Sequence, residues 1–138
     1  MILSQLQRRI LAVLEEPESY GFPTLINSVA KPRGAQVELD VMLGALAGLV
    51  RHELLEVSRG RDAQTRRWQR LKGPDALHAL DEVRASSQWD DASQYWRWVS
   101  CGQPLEIILS ERGAVVARSI LSQDGWPRAP LESYQDAG

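Results

Sequence analysis

The sequence predicts a mainly α-helical fold with a small β-hairpin, followed by a shorter segment that mixes helix and strand. Apolar residues recur every three or four positions in three stretches before residue 52, which is the spacing of amphipathic helices. An alternating strand pattern, a polar turn and a return segment then follow over residues 55–71. We therefore expect three helices and a hairpin in the first half of this chain of 138 residues.

The first helix is predicted over residues 3–14. Ser4 is followed three places later by Gln7, a capping-box pattern in which each side chain bonds the other's backbone N–H. Pro17 stops the helix because proline cannot donate a helical hydrogen bond. Residues 18–22 are expected to form a loop.

The second helix is predicted to begin at Pro23, which suits a first turn, and to reach Ala30. Pro32 and Gly34 end it in a tight turn. The third helix has the most regular apolar spacing, at Leu39, Met42, Leu43, Leu46, Leu49 and Val50. Two helices joined by a tight turn are expected to pack as a corner.

The hairpin is predicted to have its first strand at 55–59, a polar turn at 60–65 and a return at 66–71. Trp68 and Leu71 lie at positions of opposite parity, so a regular strand cannot place both on one face. A bulge or an early end to the pairing is therefore expected.

Gly73 and Pro74 are expected to open a fourth helix that carries Leu77, Leu80 and Val83 on one side. We divide the chain into a first domain at 1–73, an extension at 74–121 and a flexible tail at 122–138. In the extension, an aspartate at 90 or 91 is expected to cap a helix that carries three aromatic residues, Tyr95, Trp96 and Trp98. A strand is predicted at 105–109 and a last helix after it, capped by Ser110 and Glu111.

Several classes of protein are excluded by the totals. Cys101 is the one cysteine, so an intrachain disulfide is impossible, and with His52 and His78 it is too few for a standard zinc site. No apolar run approaches the roughly 20 residues of a membrane helix. The N-terminus lacks the pattern of a signal peptide, so we expect a cytoplasmic protein. We also expect no cofactor.

The net charge of −2 hides an asymmetry. Residues 1–73 carry 11 Lys and Arg against 8 Asp and Glu, a net +3, whereas residues 74–138 carry 5 against 10, a net −5. Within the first part, residues 58–72 hold six cations against Asp62, a net +5. Such a concentration suits a polyanionic partner, although a solvated basic hairpin would look the same.

Three helices followed by a basic hairpin form the order of a winged helix-turn-helix, in which the hairpin is the wing. This order predicts binding to double-stranded DNA, because Lys and Arg neutralise phosphates and release counterions. Two cations lie at the helix-turn-helix turn and most of the others on the wing. The predicted DNA contacts are Lys31, Arg33, Gln36, Arg59, Arg61, Arg66, Arg67 and Arg70.

Three motifs resemble the PadR and MarR group of bacterial transcriptional regulators. They lie at residues 10–14 (ILAVL), 20–22 (YGF) and 46–56 (LAGLVRHELLE), within a resemblance that covers about residues 3–73. The resemblance implies a dimeric DNA-binding repressor. The extension matches no dimerisation helix pattern of that group, so how the chain would dimerise is left open.

The third helix is expected to present acidic and small residues outward. Its outward positions are Gln36, Glu38, Asp40, Val41, Gly44, Ala45 and Gly48. Only Gln36 is a usual reader of base edges, and Glu38 and Asp40 suit the dipole of a helix N-terminus. We therefore expect binding led by the wing and dominated by the DNA backbone.

The acidic half leaves alternatives open. Trp89, Tyr95, Trp96 and Trp98 could form a dimer or protein interface, which would make the chain a protein-interaction module. They could equally be core that ties the extension to the first domain. Residues 105–121 could be a second partial winged helix or simply a strand-to-helix connection. No catalytic constellation appears, so we expect that the protein is not an enzyme.

Overall fold

The computed structural model describes residues 2–15, 19–59, 69–100, 104–124 and 130–134. The fold is mixed α+β with antiparallel sheets. Its helices are α1 (Gln5–Leu14), α2 (Phe22–Val29), α3 (Gln36–Arg51), α4 (Pro74–Asp81), α5 (Val83–Ser86) and α6 (Glu111–Asp124). Its strands are β1 (Ser19–Gly21), β2 (Leu55–Arg59), β3 (Gln69–Leu71), β4 (Ser87–Asp90), β5 (Tyr95–Trp98) and β6 (Glu106–Leu109).

The three predicted helices of the first half are confirmed. At the start of α1, the Ser4 hydroxyl accepts from the Gln7 backbone N–H and the Gln7 side chain accepts from the Ser4 N–H, which is the predicted capping box. The apolar faces of α1, α2 and α3 meet in one core. Val83, predicted to continue the fourth helix, begins α5 after a break at Glu82.

The prediction of a loop at residues 18–22 is wrong. Residues 19–21 form β1 and pair antiparallel with β6, Tyr20 opposite Ile107. The partner lies more than 80 residues further along the chain, so local sequence carries no sign of the pairing.

The main sheet has the strand order β1-β6-β2-β3. The predicted strand at 105–109 is confirmed as β6, and it pairs with β2 from Leu55 opposite Leu109 to Ser58 opposite Glu106. Pairing of β2 with β3 places Arg59 opposite Gln69. The sheet therefore crosses the predicted boundary between residues 73 and 74.

The prediction of a helix carrying the aromatic residues of the extension is wrong. Those residues lie in a hairpin of β4 and β5, in which Trp89 is opposite Trp96. Asp90 does not cap a helix; its carboxylate accepts from the N–H groups of Ala92 and Ser93 and so closes the turn. Side chains alternate along β5, with Tyr95 exposed and Trp96 buried, as a strand requires.

The prediction of a flexible tail over residues 122–138 is wrong for its described parts, because residues 122–124 belong to α6 and residues 130–134 pack against α2. Within residues 130–134, which we call the strap, Leu131 forms a parallel bridge with Ala30, and the Tyr134 ring is buried. Among the described residues, no helix combines the length and apolar character that crossing a membrane requires.

The turn from α3 into β2 is locked by α6. Glu53 has φ +60°, and the N–H groups of Glu53 and Leu54 return to the carbonyls of Val50 and Leu49. The predicted cap of α6 is confirmed, because the Ser110 hydroxyl accepts from the Gly113 N–H. That hydroxyl also donates to the Glu53 carbonyl, which fixes α6 to the turn.

Candidate nucleic-acid interface

The corner between α2 and α3 is organised around the carboxylate of Glu38. This side chain was expected to face solvent, but the residue is only 3% exposed. Its oxygens accept from the backbone N–H groups of Arg33 and Gly34 at 2.9–3.1 Å and from the indole N–H of Trp96 at 3.1 Å. A buried carboxylate is tolerated because charge-assisted hydrogen bonds replace its water.

The β4–β5 hairpin sits directly on this corner. Asn27 of α2 accepts from the Trp96 N–H at 2.9 Å and donates to the Trp96 carbonyl at 2.8 Å. The rings of Trp89 and Trp96 meet edge to face, with centroids 5.6 Å apart. Gly34 has φ +86°, and a Cβ there would lie 2.6 Å from the Trp89 ring, so the turn needs glycine for both reasons.

The rest of the outward face of α3 consists of small residues and a carboxylate that is ion-paired. Gln36 and Gly44 are exposed as predicted, whereas Ala45 is buried, which corrects its predicted outward position. Exposed Asp40 is ion-paired with Arg84 of α5. Gly48 does not offer an open patch, because Gln7 of α1 fills the space beside it and donates to the Ala45 carbonyl at 3.2 Å.

The strap covers the C-terminal end of α2. The last carbonyls of a helix have no partner within the helix. Here the Leu131 N–H donates to the Val29 carbonyl at 3.0 Å, and the Tyr134 hydroxyl donates to the Ile26 carbonyl. Lys31 then donates its N–H to the Leu131 carbonyl at 2.8 Å. The strap thus caps the first helix of the corner.

Most of the predicted DNA-binding cations in the described residues are paired with carboxylates. Lys31 contacts Glu132 at 3.1 Å, Arg59 contacts Glu82 at 3.2 Å, and Arg70 is ion-paired with Glu56. Arg33 is exposed at the turn, and its guanidinium pairs with no carboxylate in the described part of the chain. Arg61, Arg66 and Arg67 lie outside the described residues.

The four aromatic residues predicted at an interface fall into two groups. Trp96 is 3% exposed and belongs to the core, and Trp89 and Trp98 are half-buried against it. Tyr95 is 40% exposed and points away from Trp96. The tryptophans therefore tie the β4–β5 hairpin to the helices, in agreement with the expectation that they are core residues.

Three contributors to this surface were missed from the sequence: Asn27, Arg84 and Glu132. Asn27 looked like an ordinary helix residue, because its partner is 69 positions away. Glu132 lay in a segment rich in proline and polar residues. The sequence signal that was present is the aromatic alternation around residues 95–98, which favours a strand.

A mixed-charge groove of about 650 Å³ runs beside β3 and the start of α6. Its lining residues are Glu53, Glu56, Arg70, Leu71, Lys72, Ser110, Glu111 and Arg112. Within the described ranges, no group of three His, Cys, Asp or Glu side chains is placed to hold a metal ion.

Comparison with protein-family models, curated proteins and solved structures found no match to this chain.

Proposed function

We propose that this protein is a winged helix-turn-helix that binds duplex DNA, mainly through the basic segment at residues 58–72. The observation that carries the proposal is an antiparallel sheet that contacts α2 and α3 and whose strands β2 and β3 contain Arg59 and Arg70 of this segment. We further propose that it acts in the cytoplasm as a dimeric transcriptional regulator, as the PadR and MarR resemblance implies, and not as an enzyme.

The strand order supports the winged-helix part of the proposal. In such folds the strand after the first helix joins the two wing strands in one antiparallel sheet, which matches β1, β6 and β2. On this interpretation β6 is the second wing strand, and residues 60–105 are an insertion into the wing. Residues 69–71 of the predicted return are then an additional edge strand, β3, rather than the closing strand of the wing.

Charge supports the DNA part. The register of β2 and β3 places Arg59 opposite Gln69, so the two strands that flank the basic connection are paired, β3 being the edge strand of the sheet. Carboxylates already balance Arg59 and Arg70. The excess positive charge of the segment therefore comes from Arg61, Arg66, Arg67 and Lys72, which could neutralise phosphates.

The α3 face supports backbone binding over sequence reading. Direct readout needs donors or acceptors that reach base edges. In the N-terminal turn of α3, Glu38 instead accepts a hydrogen bond from Trp96 of the β4–β5 hairpin, and Asp40 is ion-paired with Arg84. We therefore expect affinity that falls steeply with salt and varies little with sequence.

The test is fluorescence anisotropy of labelled duplexes, random and self-derived, at several salt concentrations. Replacing Arg61, Arg66 and Arg67 together by Ala should reduce the slope of log K against log salt by about 2 to 3, since each lost phosphate contact removes about 0.9. A matched control replaces three other exposed arginines, Arg51, Arg112 and Arg118, and should change the slope much less.

Equal effects of the two triple variants would show that net charge, not the wing segment, governs binding. Absence of binding by the wild type at low salt would refute the proposal. It would favour the protein-interaction alternative, for which exposed Tyr95 and Val99 on the hairpin are the candidate contacts.

A further inference from the structure

The strap places a carboxylate on one of the proposed phosphate contacts. Both oxygens of Glu132 lie 3.1–3.2 Å from the ammonium nitrogen of Lys31. The side chains are 54% and 77% exposed for Lys31 and Glu132, so the pair faces solvent at the turn between α2 and α3. A carboxylate oxygen and a phosphate oxygen are the same kind of acceptor for an ammonium group.

An exposed ion pair alone contributes little to stability. Glu132, however, is held near Lys31 by the rest of the strap. Two backbone hydrogen bonds of Leu131 and the buried Tyr134 hydroxyl fix the segment on either side of it. The effective concentration of the carboxylate at Lys31 is therefore high, and a DNA phosphate must displace it.

We propose that the strap is an autoinhibitory contact in which Glu132 occupies Lys31 as a DNA phosphate would and lowers the affinity for duplex DNA. This inference rests on the proposed function. It assigns Lys31 to a DNA-binding surface on which Glu132 blocks it, and it gives the C-terminal segment a role beyond capping α2. Movement of Glu132 away from Lys31 adds one phosphate contact.

The test compares Glu132→Gln with the wild type in the anisotropy assay. Freeing Lys31 should raise affinity about three- to tenfold at low salt and steepen the salt slope by about 0.9, one phosphate contact. Asp75→Asn is the matched control, because Asp75 is an exposed carboxylate in a different element, the first turn of α4. It removes the same charge and should leave the slope unchanged.

Lys31→Gln completes a double-mutant cycle. In the wild type this change should alter affinity little, since Lys31 is already occupied, whereas in Glu132→Gln it should abolish the gain. Thermal unfolding checks that each variant keeps the fold, which the exposure of both side chains favours.

Three results decide the matter. A gain in Glu132→Gln that Lys31→Gln removes supports the inference. DNA binding by the wild type with Glu132→Gln indistinguishable from Asp75→Asn overturns the strap contact and leaves the proposed function standing. Absence of DNA binding by the wild type and every variant at low salt overturns the proposed function, and the autoinhibition with it.

Discussion

The indole N–H of Trp96 donates to the carboxylate of Glu38 at 3.1 Å, across 58 positions of sequence, and both residues are buried. The same carboxylate accepts from two backbone N–H groups of the α2–α3 turn. One acidic side chain therefore fixes both the turn and the hairpin that covers it. The corner and the hairpin should lose stability together when this carboxylate loses a partner.

Trp96→Phe is expected to destabilise the protein by about 2–4 kcal/mol, since a hydrogen bond to a charged group is worth about 1.5–3 kcal/mol and ring volume is also lost. Urea unfolding measures the change. Trp98→Phe is the matched control, because the Trp98 indole nitrogen is buried without a partner in the described residues. A larger loss in Trp98→Phe than in Trp96→Phe would contradict the role of the Glu38 contact.

Gly113 is expected to tolerate no side chain. A Cβ there would lie 1.9 Å from the Leu54 carbonyl oxygen, a backbone atom that cannot rotate away. Gly113→Ala should therefore cost more than about 3 kcal/mol through overpacking and displacement of α6. Gly44→Ala, on the open face of α3 with nothing within 4 Å, should instead stabilise by about 0.5–1 kcal/mol. Thermal unfolding of both variants tests this pair of predictions. If both substitutions changed the stability in the same direction, the packing described here would be contradicted.

Replacement of Glu53 by glycine is expected to stabilise the protein. It occupies the left-handed region with φ +60°, immediately after the cap of α3, where glycine is the usual residue. Glu53→Gly should raise the free energy of unfolding by about 0.5–1 kcal/mol. Glu53→Ala loses the same exposed contact with Arg112 but keeps a Cβ, so it should show no such gain. If alanine stabilises as much as glycine, the backbone argument does not hold.

Because of Tyr134, the free energy of unfolding is expected to fall at alkaline pH. Burial, and then the charge of Glu38, raise the pKa of its hydroxyl well above the ordinary value of 10.0. The folded state thus holds a proton that the unfolded state releases, so this contribution is complete below pH 10 and declines as pH rises further. Tyr134→Phe should cost about 1–3 kcal/mol near neutral pH, because the Ile26 carbonyl loses its donor.

The pH dependence provides the control for that variant. Because phenylalanine does not ionise, the difference in unfolding free energy between wild type and Tyr134→Phe should narrow above pH 10. Urea unfolding at pH 7, 9 and 10.5 measures this difference. A gap that stays constant across this range would show that Tyr134 does not release its proton on unfolding.

Local patterns predicted the parts of the fold that local physics determines. Apolar spacing located α1, α2 and α3, and the capping motifs at Ser4 and Ser110 marked helix starts that the structure confirms. The pairing of β1 with β6 and the seat of Trp96 on Asn27 were not predictable in this way. Both depend on partners distant in sequence, which periodicity within one segment does not identify.

The same distinction between local features and contacts distant in sequence applies to the candidate site. The sequence located the cations at the turn and on the edge hairpin, because charge is visible residue by residue. It did not show that carboxylates from other segments neutralise Lys31, Arg59 and Arg70. Nor did it show that Glu38 turns inward, since a carboxylate is buried only when three-dimensional partners supply its hydrogen bonds.

The central place of β6 also constrains the order of folding. Before residues 106–109 leave the ribosome, β1 and β2 have no strand between them, and Leu54, Leu55 and Val57 lack part of their cover. Closing loops of this length costs entropy before the contacts form, so folding should be slow for a chain of this size. The nascent first half would expose apolar strand surface until β6 inserts, a period in which chaperones or rapid synthesis would protect it from aggregation.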